Sequence, residues 1–272
     1  MSQSLIPVTK LRKFPGSEWL TDLDNLVSVN ILNDLGSSNF LEIGVWRGAW
    51  SFSMLENCSS TVGMGIDPYP GFEHIKSAVT SDIVEHGFSS RFKILNSFAD
   101  LEDSSQDDVK FSLIHIDGEH SQAAANSDLR SASRRLAPGG VIVVDDFRHL
   151  SFPGVTAAVF NFLNSSEFCA FCLTPNKIYI CEKTNYNLNF NRVLNFSKKL
   201  GIEFETLFKS TGTYDQENSI NGFQQIILKS IYYKSKSKVI IRCLKMLLPP
   251  LLTVFLRRVY QKTIASLGFF RT

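Results

Sequence analysis

Cysteine is scarce in this chain. Five stand in 272 residues, at positions 58, 169, 172, 181 and 243. An odd, scattered set does not describe a disulfide framework. Cys169 and Cys172 form a C-x-x-C, but no histidine or fourth cysteine stands at metal spacing, so they read as small core residues rather than a zinc site. The N-terminus lacks the apolar stretch of a secretory signal, and with reduced cysteines this leads to the expectation of a cytoplasmic protein. A spanning helix is also missing. The most apolar late stretch, Val239 to Leu256, carries Arg242, Lys245 and the pair Pro249-Pro250. Acidic residues are absent from residue 221 onward, against ten lysines and arginines there. The first 220 residues carry a net charge of −8, so a mildly acidic body precedes a strongly basic tail, although the whole chain is only +2. That total implies no nucleic-acid partner. The segregated tail predicts contact with an anionic surface, such as a peripheral membrane contact, or packing in a homo-oligomer.

What the chain does have is a strand–helix rhythm. Apolar residues recur at helical spacing from Trp19 to Leu35, and Gly36 stops that helix. Five apolar runs follow: Phe40 to Ile43, Val62 to Ile66, Phe92 to Leu95, Phe111 to Ile116 and Val141 to Val144. They are mostly unbroken, as strands buried on both faces of a parallel sheet are. A helix is predicted over Ser121 to Leu136 and another over Val155 to Leu163. A hairpin pairs Phe168 to Leu173 with Lys177 to Cys181. The expected fold is therefore α/β, a Rossmann-like, doubly wound, mostly parallel sheet with a C-terminal antiparallel hairpin, followed by a helical basic tail. In such sheets, ligands bind beyond the carboxyl ends of the strands.

Polar residues cluster at those ends. The string Phe40 to Trp50 contains E-x-G-x-x-x-G, with Glu42, Gly44 and Gly48. Gly44 allows a tight turn and Gly48 a close helix start. The G-x-G-x-x-G of a dinucleotide site is absent, because Trp46 stands where its second glycine would be. The second strand ends in Asp67, where an acid commonly accepts ribose hydroxyls. The fourth ends in Asp117-Gly118-Glu119-His120 and the fifth in Asp145-Asp146. Three converging carboxylates repel unless a cation sits among them, which points to a hard ion such as Mg²⁺ on Asp117, Asp145 and Asp146. His120 and Glu119 beside them are candidate general bases. His115, inside a strand, reads as a packed histidine. His149 is placed to line the site or to lie outside it.

Together these strings resemble the class I S-adenosylmethionine (SAM)-dependent methyltransferases, in particular a bacterial group with I-D-G-x-H, L-x-P-G-G and a strand ending in D-D. Metal-dependent sugar O-methyltransferases and catechol O-methyltransferase are distant relatives of that plan. The resemblance implies SAM as cofactor, with Glu42, Gly44, Trp46 and Gly48 around its methionine part and Asp67 on its ribose. Ser97 and Phe98 would meet the adenine, and Asp117 would border the cofactor. It implies Asp117, Asp145 and Asp146 as metal ligands, His120 or Glu119 as the base, and O-methylation of a hydroxylated small molecule or glycan. The organisation expected is an N-terminal helical cap (1–36), a SAM-binding domain (37–185) and a helical, basic extension (186–272). The alternatives are a SAM-binding module without catalysis and a nicotinamide-dependent oxidoreductase.

Overall fold

The computed structural model describes residues 5–7, 11, 14, 21–36, 39–98, 109–206 and 220–231. The chain divides into two units, Met1–Ile231 and Tyr232–Thr272. The second unit, and with it most of the basic tail, lies outside the described residues. Among the described residues no helix is long and apolar enough to cross a membrane.

The elements run in the order α1 (Asp22–Asp34), β1 (Asn39–Ile43), α2 (Ala49–Asn57), β2 (Val62–Ile66), α3 (Glu73–Glu85), β3 (Phe92–Leu95), β4 (Phe111–Ile116), α4 (Gln122–Arg135), β5 (Leu136–Val144), α5 (Pro153–Ser165), β6 (Phe168–Leu173), β7 (Ile178–Glu182), α6 (Tyr186–Leu200), β8 (Ile202–Thr206) and β9 (Ile226–Ile231). Local chemistry sets several boundaries. Thr21 caps α1 by accepting from the Asp24 N–H, and Ser121 caps α4 by accepting from the Ala124 N–H. Pro153 opens α5 and Gly201, in the left-handed region, closes α6.

All nine strands share one sheet, ordered β3-β2-β1-β4-β5-β7-β6-β9-β8. The first five pair in parallel, and β7 joins β5 antiparallel. The chain winds outward from β1 to β3, returns to β4 and winds the other way. The switch lies between β1 and β4, where a doubly wound sheet opens a crevice. Because strand side chains alternate, each buried strand feeds two cores. Val141, Val143, Tyr179 and Cys181 join the core under α1, α2, α3 and α6. Ile142, Val144, Ile178 and Ile180 join the one under α4 and α5. Cys169 and Cys172 are buried free thiols in β6.

The expected doubly wound sheet with its antiparallel hairpin is present. The sequence reading ends the domain at residue 185, yet the sheet continues. Helix α6 and strands β8 and β9 belong to the first unit, and β9 pairs with β6 in parallel. Strand β8 has the pattern of an edge: Ile202 is buried, while Glu203 on the other face is exposed.

Candidate active site

Strand register brings the polar residues together. Ile43 pairs with Ile66, so Gly44 and Asp67 emerge side by side. Glu42 pairs with His115 and Ile116 with Val144, so Asp117 leaves the sheet beside Asp145. Val144 pairs with Ile178, so the next step along the antiparallel ladder sets Asp145 opposite Lys177. These ends border one cavity of about 810 Å³, inside the roughly 300–1,000 Å³ range of small-molecule sites. Every site residue named from the sequence lines it except Gly48.

The loop after β1 is held by Asp67. One carboxylate oxygen, Oδ2, accepts from the backbone N–H of Val45 (3.0 Å) and of Trp46 (2.9 Å), while Oδ1 accepts from Tyr69 N–H (2.8 Å). The Tyr69 hydroxyl in turn donates to the Trp46 carbonyl (3.0 Å). Asp67 is thus first a brace for the loop, with one lone-pair direction of Oδ1 left for a ligand hydroxyl. Gly44 has φ +83°, and a Cβ there would lie 2.0 Å from the Asp117 carbonyl oxygen. Gly48 has φ +74° and caps α2, with the Phe52 ring 2.9 Å from where its Cβ would be. Trp46 also sits at positive φ; the residue is 46% exposed and its ring is edge-on to Phe72. Ser97 and Phe98 line the cavity, Ser97 half-buried and Phe98 exposed.

Glu42 is buried under the loop rather than open to a ligand. Its two oxygens meet the Ser51 hydroxyl and His115 Nδ1. His115 is buried and stacked on Trp50, the rings 4.4 Å apart, and its Nε2 lies 3.0 Å from Lys177 Nζ. An ammonium has only donors, so Nε2 must accept, and the imidazole proton sits on Nδ1 toward Glu42. Lys177 also donates to Asp145 Oδ2. Glu42, His115, Asp145 and Lys177 thus form a row across β1, β4, β5 and the start of β7.

Charge is balanced pair by pair. Burial opposes the charge of Asp145, but the Lys177 ammonium on its Oδ2 outweighs it and holds this carboxyl well below the ordinary range. Burial likewise works against the Lys177 ammonium, and Asp145, Asp117 and Asp24 reverse the effect and raise it. Asp146 Oδ2 pairs with His120 Nε2 at 2.9 Å, and that hydrogen bond raises the imidazole above its usual value. Burial pushes Asp146 up, but His120 and Asn176 outweigh it and lower this carboxyl. Asp117 has no such partner. Desolvation by the surrounding protein and repulsion from the neighbouring Asp145 push its carboxyl up to about 7, against the lowering pull of the nearby Lys177 ammonium. Glu119 is exposed and accepts from the Ser121 hydroxyl at the start of α4, which ties it to the helix cap. His120 remains half-exposed, stacked on Phe152 at 3.9 Å, with His149 on the far side of that ring. His149 therefore lines the site.

The three aspartates do converge, but the donor set does not fit Mg²⁺. Repulsion among the carboxylates does call for a cation, and the chain supplies one. Asp145 Oδ2 is taken by Lys177, and Oδ1 by Asn176 Nδ2 (2.7 Å) and Asp146 N–H (2.9 Å). A divalent ion on Asp145 would stand about 4 Å from the ammonium, a repulsion of about 8 kcal/mol at an effective dielectric of 20. Ligand atoms of His115, Asp117 and Asp145, and of Asp117, His120 and Asp146, lie within 4.8 Å of one another, but Lys177 stands on both Asp145 and His115, and His120 and Asp146 are bonded to each other. Lys177 and Asn176 were not singled out from the sequence. The available signal was a lysine at the head of an otherwise apolar strand, just after the turn Thr174-Pro175-Asn176.

Residues 41–147 match a family model described as a methyltransferase domain. That span runs from β1 to just past the acids that end β5, so the loop, Asp67, Asp117 and Asp145–Asp146 all fall inside it. No curated protein matches the chain significantly. Among solved structures, it is similar to the SAH-bound methyltransferase PaMTH1 of Podospora anserina, with 15% identity, 62% of this chain and 82% of that one covered, and a TM-score of 0.52. It is also similar to an O-methyltransferase from Bacillus cereus in complex with SAH, at 15% identity, with 64% and 83% covered and a TM-score of 0.50. At such identities the likeness is one of fold.

Proposed function

We propose that this class I methyltransferase domain transfers a methyl group from SAM to a hydroxyl oxygen of a small molecule or sugar. One observation carries the reading: His120, with Asp146 behind it, opens on the same cavity as the loop braced by Asp67. Bound SAM supplies a methyl already activated on a sulfonium, so the protein's task is alignment and proton removal. Gly44 and Gly48 keep side chains out of the loop's path. Asp67 offers Oδ1 to a ribose hydroxyl. The exposed rings of Trp46, Phe72 and Phe98 give flat apolar surfaces for the adenine or for an acceptor face. His120 shares its Nε2 proton with Asp146 and keeps the Nδ1 lone pair to take a proton from the acceptor. Asp146 then stabilises the imidazolium.

The test is a turnover screen of the purified chain with SAM against sugars, catechols and simple alcohols, read by mass spectrometry and SAH release. A methylated product matched by SAH is expected. SAM binding with no SAH release across the panel would favour a binding module. Stabilisation by NAD but not by SAM would overturn the reading. Within it, Asp67→Asn is expected to weaken SAM binding by about 10- to 100-fold, because charge-assisted hydrogen bonds are worth roughly 1.5–3 kcal/mol each. Calorimetric titration measures this, and unchanged affinity would remove Asp67 from the cofactor site.

A further inference from the structure

We propose that Lys177 is the resident cation of this site, standing on Asp145 where a divalent ion would otherwise bind, so that the chain takes up no Mg²⁺ there. Three observations support this. The ammonium is buried, with its side chain 2% exposed, and it contacts both Asp145 Oδ2 and His115 Nε2. Its backbone is pinned on both sides: Lys177 N–H donates to Thr174 Oγ1 (3.0 Å) and Thr174 N–H donates to the Lys177 carbonyl (2.9 Å). The preceding residue closes what remains of the acid, since Asn176 Nδ2 donates to Asp145 Oδ1 and to Asp146 Oδ1 (3.0 Å), while the Asn176 carbonyl accepts from Phe147 N–H (3.0 Å). The hairpin turn therefore delivers an amide and an ammonium to the two acids that would otherwise face an ion. Mg²⁺ demands near-ideal octahedral oxygen geometry and gives up its water reluctantly; Asp145 Oδ1 already accepts two hydrogen bonds, and Oδ2 keeps one lone pair only beside an ammonium that repels the ion.

The consequence for substrate rests on the methyl-transfer reading: the acceptor needs one hydroxyl within reach of His120 and gains nothing from a second hydroxyl placed to chelate. The charge assignment itself does not rest on that reading.

Mn²⁺ is the probe, followed by its electron paramagnetic resonance signal during titration of the full chain, with thermal shift by SAM as a check on the cofactor site. The wild-type chain is expected to leave the free-ion signal unchanged at equimolar Mn²⁺. Lys177→Met, which uncovers Asp145, is expected to sequester about one equivalent, and Lys177→Met with Asp145→Asn to lose that capacity again. Stoichiometric Mn²⁺ uptake by the wild type, abolished by Asp145→Asn, would overturn the proposal, and this arm decides the matter even if Lys177→Met fails to fold. A folded, SAM-responsive Lys177→Met that gains no Mn²⁺ would also overturn it. Failure of the wild type to respond to SAM would count against the methyl-transfer reading and leave the Mn²⁺ result standing.

Discussion

Gly44→Ala is expected to lower the melting temperature by about 10 °C and to abolish SAM binding. Two separate costs combine. A non-glycine residue in the left-handed region costs about 1–2 kcal/mol, and Gly44 has φ +83°. Its Cβ would also fall 2.0 Å from the Asp117 carbonyl oxygen and 2.7 Å from Gly118 N. Backbone cannot swing aside as a side chain does, so overpacking adds about 1–3 kcal/mol. In a domain of this size each kcal/mol moves the midpoint by about 2–4 °C. The forced shift would part β1 from β4 at the cavity floor, where Asp67 and Asp117 stand. Gly36 provides the control: it has φ +60° but nothing within 4 Å of its Cβ. Gly36→Ala should incur only the conformational cost and keep SAM binding. Thermal unfolding and calorimetric titration of both variants measure the difference, and equal behaviour would refute the close-approach argument.

His120→Ala is expected to lower kcat by about 10²- to 10⁴-fold while leaving SAM affinity within twofold, the range typical of a lost general base. The pH profile gives a second handle. Only the unprotonated imidazole accepts a proton, so the rate should fall as pH drops through the His120 pKa. Its hydrogen bond to Asp146 raises that pKa, so the acid limb should lie above the ordinary histidine value. Asp146→Asn removes the main cause of the rise and should move the limb to lower pH. A His120→Ala enzyme that keeps most of its kcat, or a limb that stays put in Asp146→Asn, would assign the base elsewhere.

Much of this site was legible in the residues because parallel strands announce themselves. Val62 to Ile66, Phe92 to Leu95, Phe111 to Ile116 and Phe168 to Leu173 were read with the bounds they have. Once the strand ends were placed, the positions of Gly44, Asp67, Asp117 and Asp145 followed from doubly wound topology. What composition could not give was pairing across the sheet. Lys177 lies 32 residues from Asp145 in sequence, and only the antiparallel register of β7 on β5 sets them face to face. The same limit made Mg²⁺ the expected answer: the repulsion was evident, but the compensating charge was hidden in a hairpin. Glu42 and Asp67 were placed at the loop, but their oxygens face its supports as much as a ligand. Strands β8 and β9 were missed for a different reason. Ile226–Ile231 contains Lys229 and merges in composition with the basic tail.

Trp46, Tyr69 and Asp146 all border the cavity and all have positive φ, at 47°, 46° and 54°. Glycine would occupy each position with less strain, by about 1–3 kcal/mol per residue. The chain instead carries an indole, a phenol and a carboxylate there and fastens them through Asp67, the Trp46 carbonyl and Asn176. Such a rim is assembled before any ligand arrives. Association should then require little ordering of the loop, and the heat-capacity change on binding should reflect only the apolar surface covered rather than a segment folding around its guest.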